Sequence, residues 1–194
     1  MDFPIKSYHT LCLKPCVPCI HVTNTPLIDF KDTLFYGLHF THTFSQSKRK
    51  ALYFGNFPYS YNGTHHKALD IPDCSPVSQI FKKINMLFPE LQFNSVMLHM
   101  YPNGDSYIPL HCDDENMIQE GSVILSVSLG TTREFKCINI ETGQKFSFQL
   151  KHGDLVLMSK RSQSAFKHGI SKSDNISTSR LSFTFRRVIG PRKK

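Results

Sequence analysis

His111 and Asp113 are the two residues of this 194-residue chain whose types and spacing point most directly to metal chemistry. In an extended segment, residues i and i+2 face the same side, so this imidazole and this carboxylate can bind one metal ion together. A third ligand must come from elsewhere in the chain, and His168 is the strongest candidate. Two histidines and one carboxylate on one face leave three metal positions open, as in non-haem Fe(II) oxygenases. The His-x-Asp spacing alone is a weak signal, since most histidines serve as surface or core residues.

A second polar pattern lies in residues 180–186, which alternate between polar and apolar side chains as a strand does. The apolar side consists of Leu181, Phe183 and Phe185. The polar side consists of Arg180, Ser182, Thr184 and Arg186. The two guanidinium groups lie about 20 Å apart along a strand that rises about 3.3 Å per residue. Burying such groups is costly unless anions meet them, so a dicarboxylate reaching from the metal to this strand would suit both. The alternative is an exposed strand with a basic outer face.

The elements around these residues change from helical to strand periodicity along the chain. Ser75 is predicted to cap a helix that starts with Pro76, carries one apolar face through residues 77–88 and ends before Pro89. From residue 93 onward the period is two, which predicts strands over 93–101, 123–129, 135–140, 145–150, 155–159 and 181–187. Many short strands favour a sandwich or jelly roll, with the helix packed against one sheet.

The composition is that of a globular protein with surplus positive charge. Hydrophobic residues make up 40% and charged residues 20%, which argues against a disordered chain, a coiled coil or a fibre. No run reaches the roughly 18 apolar residues that a membrane span needs. Lys and Arg outnumber Asp and Glu by 23 to 15, a net charge of +8 that favours a polyanionic partner, most often nucleic acid. The alternative is a surface charged only for solubility.

The first 30 residues differ from the rest in being rich in Pro, Cys and Thr. We expect residues 1–30 to form an extended arm or a linker, and residues 31–194 to form one domain. Cys12, Cys16 and Cys19 could bind zinc with a nearby histidine, but the paired spacing usual for zinc is absent. Without a signal-peptide pattern, reduced thiols and an intracellular location, with the cytoplasm favoured, are expected.

Several segments together resemble the AlkB family of Fe(II)- and 2-oxoglutarate-dependent nucleic acid demethylases. In the family's order, these segments are residues 49–50, 59–63, 111–115, 126–135, 152–158, His168 and 180–186. The resemblance covers about residues 48–188. It implies a mainly β fold with flanking helices, a double-stranded β-helix (jelly roll) whose N-terminal α/β extension forms a nucleotide-recognition lid. It also implies oxidative demethylation of N-alkylated bases, in which O₂ and 2-oxoglutarate become succinate and CO₂ and formaldehyde is released.

The resemblance also implies which residues hold the cofactors. The implied iron ligands are His111, Asp113 and His168. Arg180 and Tyr101 would hold the distal carboxylate of 2-oxoglutarate, and Arg186 would lie near its metal-chelating end. The chain departs from the family in having His99 two residues before that tyrosine and Ser182 two residues after that arginine, where asparagine is usual. Both replacements can still donate hydrogen bonds.

A further set of residues resembles the family's substrate site. The set is Tyr59, Tyr61, Phe57, Arg49, Asp114 and Glu115. The two tyrosines are expected on a hairpin or loop over the iron, where they and Phe57 would stack on an unpaired base, unless both tyrosines pack under the sheet instead. Arg49 would contact phosphates without reading sequence. The two acids would read the base or, alternatively, hold their loop.

The expected substrate is methylated RNA or DNA, with single-stranded RNA favoured. The alternatives are a 2-oxoglutarate oxygenase acting on a protein or small molecule, and a catalytically dead RNA-binding module. The compact size and basic tail resemble AlkB domains within plant RNA virus replication polyproteins. We therefore expect a monomer or a domain of a larger polyprotein, with no membrane partner and, if viral, a place in the host cytoplasm.

Overall fold

The computed structural model describes residues 19–22, 38–61, 63–159 and 161–190. Within them, strands are numbered β1 to β13 in chain order. A large sheet contains, in spatial order, β1 (Ile20–Val22), β11 (Leu155–Ser159), β8 (Val123–Gly130), β13 (Arg180–Arg186), β6 (Ser95–Tyr101), β3 (Arg49–Gly55) and β2 (His42–Phe44). A small sheet contains β10 (Lys145–Leu150), β9 (Arg133–Asn139), β12 (Phe166–Ile170) and β7 (Ile108–His111). A separate hairpin joins β4 (Tyr59–Tyr61) to β5 (Thr64–His66).

Neighbouring strands in all three sheets are antiparallel, and the two larger sheets lie face to face around a buried interior. The jelly roll predicted from the sequence is therefore confirmed. Its edge strand β1 comes from the segment that the sequence assigned to an arm. The boundary predicted after residue 30, together with Cys12 and Cys16, lies outside the described residues.

Helix α1 (Pro76–Leu87) covers the outer face of the large sheet. The side chain of Ser75 accepts a hydrogen bond from the Ser78 amide at 3.1 Å, as an N-cap does, and Pro76 occupies the first turn. The buried residues Val77, Ile80 and Ile84 of α1 join the same apolar cluster as the outward face of β13. The predicted helix and its predicted packing on one sheet are thus both present.

Strand β13 is buried on both faces, because it lies at the centre of the large sheet between β8 and β6. Its apolar residues point toward α1, and its polar residues line the interior between the two sheets. Arg180 and Arg186 are only 2% and 4% exposed. The alternative of an exposed strand with a basic outer face is therefore excluded.

The candidate metal-binding and cosubstrate-binding residues are side chains that point into the interior between the two larger sheets. β7 and β12 pair within the small sheet, and β13 and β6 pair within the large one, so the two sets of polar residues face each other. Among the described residues, no helix has the length and apolar character that crossing a membrane requires.

Candidate metal centre and cosubstrate pocket

One side chain from each of two paired strands of the small sheet, and a third from the segment just after β7, converge at one point. β7 ends at His111, and the register of β12 places His168 directly opposite it, with ring centroids 4.4 Å apart. Asp113 follows two residues after His111 and is buried beside both rings. The ligand atoms of these three residues all lie within 4.8 Å of one another. One cation can contact three atoms that lie this close together, so the three residues could hold a metal ion.

The protonation of this cluster suits a cation. Burial alone would raise the pKa of Asp113, but the Arg186 guanidinium and the two histidines hold that pKa well below its ordinary value. Burial and the neighbouring His111 lower the pKa of His168 to about 3. Burial also lowers the pKa of His111. One carboxylate and two neutral imidazoles are the forms in which these groups bind metals.

Contacts behind the cluster orient its members. His111 donates from Nδ1 to the carbonyl of Pro109 at 2.9 Å, which leaves Nε2 to face Asp113. The Asp113 amide donates to Oε1 of Gln163 at 3.0 Å. The ring of Phe135 stacks on His168 with centroids 5.5 Å apart. Such outer contacts fix the tautomer and the direction of metal-binding side chains.

A pocket of about 40 Å³ lies between the sheets next to this cluster. Arg180 enters it from β13 and donates from Nε to the hydroxyl of Ser128 at 2.9 Å, with its guanidinium 5.0 Å from the Tyr101 ring. Its Nη1 atom is buried and has no hydrogen-bond partner among the described residues. Burial lowers the pKa of Arg180. A buried guanidinium with an unused donor aimed into a pocket fits a carboxylate ligand, so the residues present fit 2-oxoglutarate.

The two departures from the family pattern meet in the same pocket. β13 and β6 pair so that Ser182 lies opposite His99, and both line the pocket beside Arg180. Burial and then the charge of Arg49 hold the pKa of His99 well below its ordinary value, so this ring is neutral and keeps one N–H to donate. Both replacements are therefore placed where a hydrogen bond to a cosubstrate is possible.

The predicted tyrosine hairpin exists, as strands β4 and β5, and it reaches the metal cluster. The Tyr61 ring lies 6.0 Å from the His111 ring, and Tyr61 lines the pocket. Both tyrosines are buried, Tyr61 at 6% and Tyr59 at 0% exposed. Tyr59 differs in its neighbours, because its ring stacks on Tyr53 with centroids 5.4 Å apart and has the Arg186 guanidinium 5.3 Å away. The Tyr59 ring has no exposed face to offer a base in this arrangement, so the structure lends its predicted stacking role no support, and that role stays a prediction.

Arg49 also departs from its predicted place. Its side chain is 1% exposed, with the guanidinium 4.0 Å above the Phe44 ring and a hydrogen bond to the Ser47 hydroxyl at 3.2 Å. A phosphate at the surface does not reach this guanidinium in the present arrangement, so the structure lends the predicted phosphate contact no support, and that role stays a prediction. The reason is that the cation of Arg49 lies under the hairpin, where it also approaches Tyr61.

The remaining substrate candidates are Phe57, Asp114 and Glu115, and the structure places each of them differently. Phe57 is half-buried and packs on Gly190, where a Cβ would meet its ring. Asp114 is exposed. Glu115 is half-buried, and burial followed by the nearby Asp113 raises its pKa. These three placements do not test the predicted roles, which stay predictions.

Some residues of the site were not predicted. Ser126, Phe135, Leu150 and Met158 line the pocket, and Ser128 orients Arg180. They come from β8, β9, β10 and β11, whose alternation was visible in the sequence. The sequence shows which residues of each strand share a face. Which of those residues line the pocket depends on the register between neighbouring strands, which the sequence does not show.

Comparison with known proteins agrees with this geometry. A family model described as the 2OG-Fe(II) oxygenase superfamily matches residues 39–186, most of the chain. The chain therefore belongs to the 2OG-Fe(II) oxygenase superfamily. Fe(II) is the metal of this family, and 2-oxoglutarate and O₂ are its cosubstrates, which confirms the predicted cofactors.

The relatives narrow the similarity to AlkB homologues. The chain is 28% identical over 152 residues to the DNA oxidative demethylase ALKBH2 of Arabidopsis thaliana, covering 66% of this chain and 48% of that protein. It is 27% identical over 152 residues to the alpha-ketoglutarate-dependent dioxygenase alkB homolog 3 of Homo sapiens, covering 74% and 52%. The chain spans about half the length of the curated relatives it matches. The resemblance to the AlkB family is thus confirmed.

A solved structure supports the fold. The structure of OsALKBH1 aligns with a TM-score of 0.52 and 19% identity, covering 72% of this chain and 78% of that one. At this identity the likeness speaks for the shared fold alone.

Proposed function

We propose that this protein removes N-methyl groups from nucleic acid bases by oxidation, with single-stranded RNA as its favoured substrate. Three things support the proposal: membership of the oxygenase superfamily, relatives named as a DNA oxidative demethylase and an alkB homolog, and a net charge of +8. The observation that carries it is the pairing of a two-histidine, one-carboxylate cluster with an unsatisfied buried guanidinium across one pocket.

In this proposal, His111, Asp113 and His168 hold Fe(II). Arg180, assisted by Tyr101, binds the distal carboxylate of 2-oxoglutarate, and Arg186 lies at its chelating end. Bound iron, 2-oxoglutarate and O₂ supply the oxidant that hydroxylates an N-methyl group, and the hydroxymethyl product loses formaldehyde. The chain's own contribution is to orient the cosubstrate and to keep water out of a pocket enclosed by two sheets.

The substrate side of the proposal rests on Tyr61. The metal cluster is buried, so a base paired within a duplex cannot reach it and must be unpaired or flipped. Tyr61 lies next to His111, where it can contact an inserted base. Tyr59, enclosed beside Arg186, instead holds that guanidinium in place. Asp114 and Glu115 follow the metal ligand Asp113 directly, and we propose that they face the inserted base.

The direct test is formaldehyde release from synthetic oligonucleotides carrying 1-methyladenine or 3-methylcytosine. Four forms are compared: RNA and DNA, each single- and double-stranded. We expect release that depends on Fe(II), 2-oxoglutarate and O₂, with single-stranded RNA used best. Unmethylated oligomers of the same sequence serve as the substrate control, and Asp113→Ala as the protein control.

The outcomes separate the alternatives. If 2-oxoglutarate is consumed but no oligomer yields formaldehyde, the result favours an oxygenase for a protein or small molecule. If Fe(II) and 2-oxoglutarate do not bind while RNA does, it is a catalytically inactive RNA-binding module. The assignments to a virus polyprotein, to a monomer and to the host cytoplasm stay predictions.

A further inference from the structure

Arg133 is a buried cation that the proposed reaction does not use. It stands at the start of β9 in the small sheet and is 1% exposed. Its guanidinium donates to four backbone carbonyls, those of Asn103 at 3.1 Å, Gly104 at 3.3 Å, Ser106 at 2.7 Å and Ser171 at 2.6 Å. No other arginine of the described residues has this number of backbone partners.

These four carbonyls belong to two segments that connect the site's residues. Asn103, Gly104 and Ser106 lie in the turn from β6 to β7, which leads from Tyr101 to His111. Ser171 follows β12, which carries His168, and it opens the segment that leads to Arg180. The Arg133 side chain therefore links the β6–β7 turn to the segment after β12. These two segments connect the residues proposed to bind the cosubstrate and the metal.

The two segments also bond to each other, at the glycine whose carbonyl accepts from Arg133. The Gly104 amide donates to the Ile176 carbonyl at 2.9 Å, and the Ser173 amide donates to the Gly104 carbonyl at 3.0 Å. A Cβ at residue 104 would collide with the Ser173 carbonyl, so the approach is as close as glycine permits. Arg133 thus stabilises a close contact between two backbone segments, at which a side chain larger than that of glycine would not fit at residue 104.

Arg133 also places a positive charge near Tyr101, which lines the pocket. Its guanidinium lies 5.8 Å from one ring, that of Tyr101, and Arg180 lies 5.0 Å from the same ring. Neither arginine has a salt bridge to a carboxylate within the described parts of the chain. Two cations beside one tyrosine, without an anion of the protein between them, leave a positive potential that a ligand carboxylate would neutralise.

We propose that Arg133 is a positioning residue and, beside Arg180, a second cation near the distal-carboxylate end of the cosubstrate site, which makes the pocket select a 2-oxo dicarboxylate over a 2-oxo monocarboxylate. It acts through Tyr101 and Arg180 by holding their segments, and through space by adding positive charge behind them. The inference rests on the proposed cosubstrate site but not on the nucleic acid substrate.

The test is anaerobic titration of Fe(II)-loaded protein, followed by the visible charge-transfer band of the bound 2-oxo acid. The two ligands are 2-oxoglutarate and 2-oxopentanoate, which share the chelating end and differ in the distal carboxylate. In Arg133→Met we expect the Kd of 2-oxoglutarate to rise about 10- to 100-fold, the range for residues that orient a binding group from behind. The Kd of 2-oxopentanoate should change less than threefold.

Two further variants separate positioning from plain stability. Arg133→Lys keeps the charge but not the four-way contact, so it should recover most of the preference for 2-oxoglutarate while its Tm stays below that of the wild type. Ile84→Ala, in the core under α1, should lower the Tm without changing either Kd. If Arg133→Met weakens both ligands equally, or neither, or if lysine restores nothing, the proposal is overturned.

Two further cases are a misfolded Arg133→Met variant and a wild-type protein without demethylase activity. Should Arg133→Met fail to fold, Arg133→Lys alone decides: a kept preference with a lowered Tm supports the proposal, and a lost preference overturns it. Demethylation is not measured here, so wild-type protein that binds 2-oxoglutarate but leaves methylated oligomers unchanged would end the proposed function without touching this inference. Wild-type protein that shows no 2-oxoglutarate band would end both.

Discussion

The seven residues of β13 alternate between two faces that are both buried but differ in chemical character. The face toward α1 carries Leu181, Phe183 and Phe185 in a fully apolar cluster. The face toward the small sheet carries Arg180 and Arg186 among buried polar groups. The difference shows that alternation along one central strand separates the source of stability from the site of chemistry.

The energetics of the two faces follow from what they bury. An apolar side chain such as phenylalanine gains about 1.5–3 kcal/mol when it is buried. A buried guanidinium loses hydration and recovers the loss only through good partners. The proposed function gives the inner face such partners, and the helix-side face supplies the stability that offsets the cost of burying its polar groups.

The largest stability effect is expected on the helix-side face. Phe185→Ala should lower the free energy of unfolding by about 3–5 kcal/mol, because it removes a large side chain from a core that cannot fully collapse. Denaturant unfolding followed by circular dichroism measures this. The folded fraction should still bind 2-oxoglutarate with wild-type affinity, and a weakened affinity would contradict the separation of the two faces.

The ion pair at the metal cluster gives a contrasting result. The Nη2 of Arg186 lies 3.1 Å from Asp113, and the pKa of the arginine is raised by that carboxylate against the opposing effect of burial. Asp113→Ala should cost about 3–5 kcal/mol in the metal-free protein by leaving the cation unpaired. Asp113→Leu combined with Arg186→Met should regain at least half of that stability.

The double variant should regain stability but not activity. Both the single and the double variant should fail to bind Fe(II) and to release formaldehyde, because the anionic ligand is gone. Calorimetric unfolding and iron content per chain provide the two readouts. A double variant that stays as unstable as the single one would show that the pair is held for stability and not for chemistry.

Replacing Arg180 is expected to weaken ligand binding without lowering stability, in contrast to Asp113→Ala, which lowers both. Arg180→Met should raise the Kd of 2-oxoglutarate by about 10- to 150-fold, the equivalent of the roughly 1.5–3 kcal/mol of a charge-assisted hydrogen bond. Stability should be unchanged or higher, since no carboxylate of the described residues pairs with this cation. Arg187→Met is the matched control, because that cation lies one residue past the strand and outside the pocket.

The tyrosine hairpin offers a sharper comparison within the site. Tyr61→Ala should reduce use of methylated oligonucleotides by about 10- to 100-fold, as expected for an aromatic contact worth about 1–3 kcal/mol, while 2-oxoglutarate turnover without nucleic acid persists. Tyr59→Ala should lower both activities together, because its ring supports Arg186. Steady-state assays of succinate and formaldehyde, run in parallel on the two variants, measure these effects. If both variants lose the same activities to the same extent, the two tyrosines do not have distinct roles.

The smallest expected effect is a pH dependence of stability. Burial, followed by the charges of His42 and His65, lowers the pKa of His66 from its ordinary 6.5 to about 4. Between these values the unfolded chain binds a proton that the folded chain does not, so stability falls as the pH drops from about 6.5 toward 4. His66→Phe should remove about 1–2 kcal/mol of that fall, measured from unfolding curves at pH 7 and pH 5.

Local pattern was enough to predict most of the fold around the site. The N-cap at Ser75 and the alternation in residues 180–186 depend only on neighbouring residues, and both are present. The His-x-Asp pair could be recognised for the same reason. His168 required a guess at a distant partner, which the antiparallel register of β7 and β12 supplies.

Burial of the lid residues could not be read from the sequence. Arg49 and Tyr59 stand in a basic and aromatic segment that suits a nucleic acid surface, but the hairpin folds onto the sheet and encloses them. The role of Arg133 was equally hidden, because its partners are backbone carbonyls, which leave no side-chain signature. Contacts of these two kinds depend on tertiary packing and not on residue type.

The most direct test of the account counts Fe(II) and 2-oxoglutarate bound per chain under anaerobic conditions. We predict one of each in the wild type, with a visible charge-transfer band, and the same result in Ile84→Ala on the helix side. His168→Ala should lose the band while remaining folded. Wild-type protein that binds no Fe(II), or a His168→Ala variant that binds both with unchanged affinity, would contradict the claim that the inner face of the jelly roll is the site of chemistry.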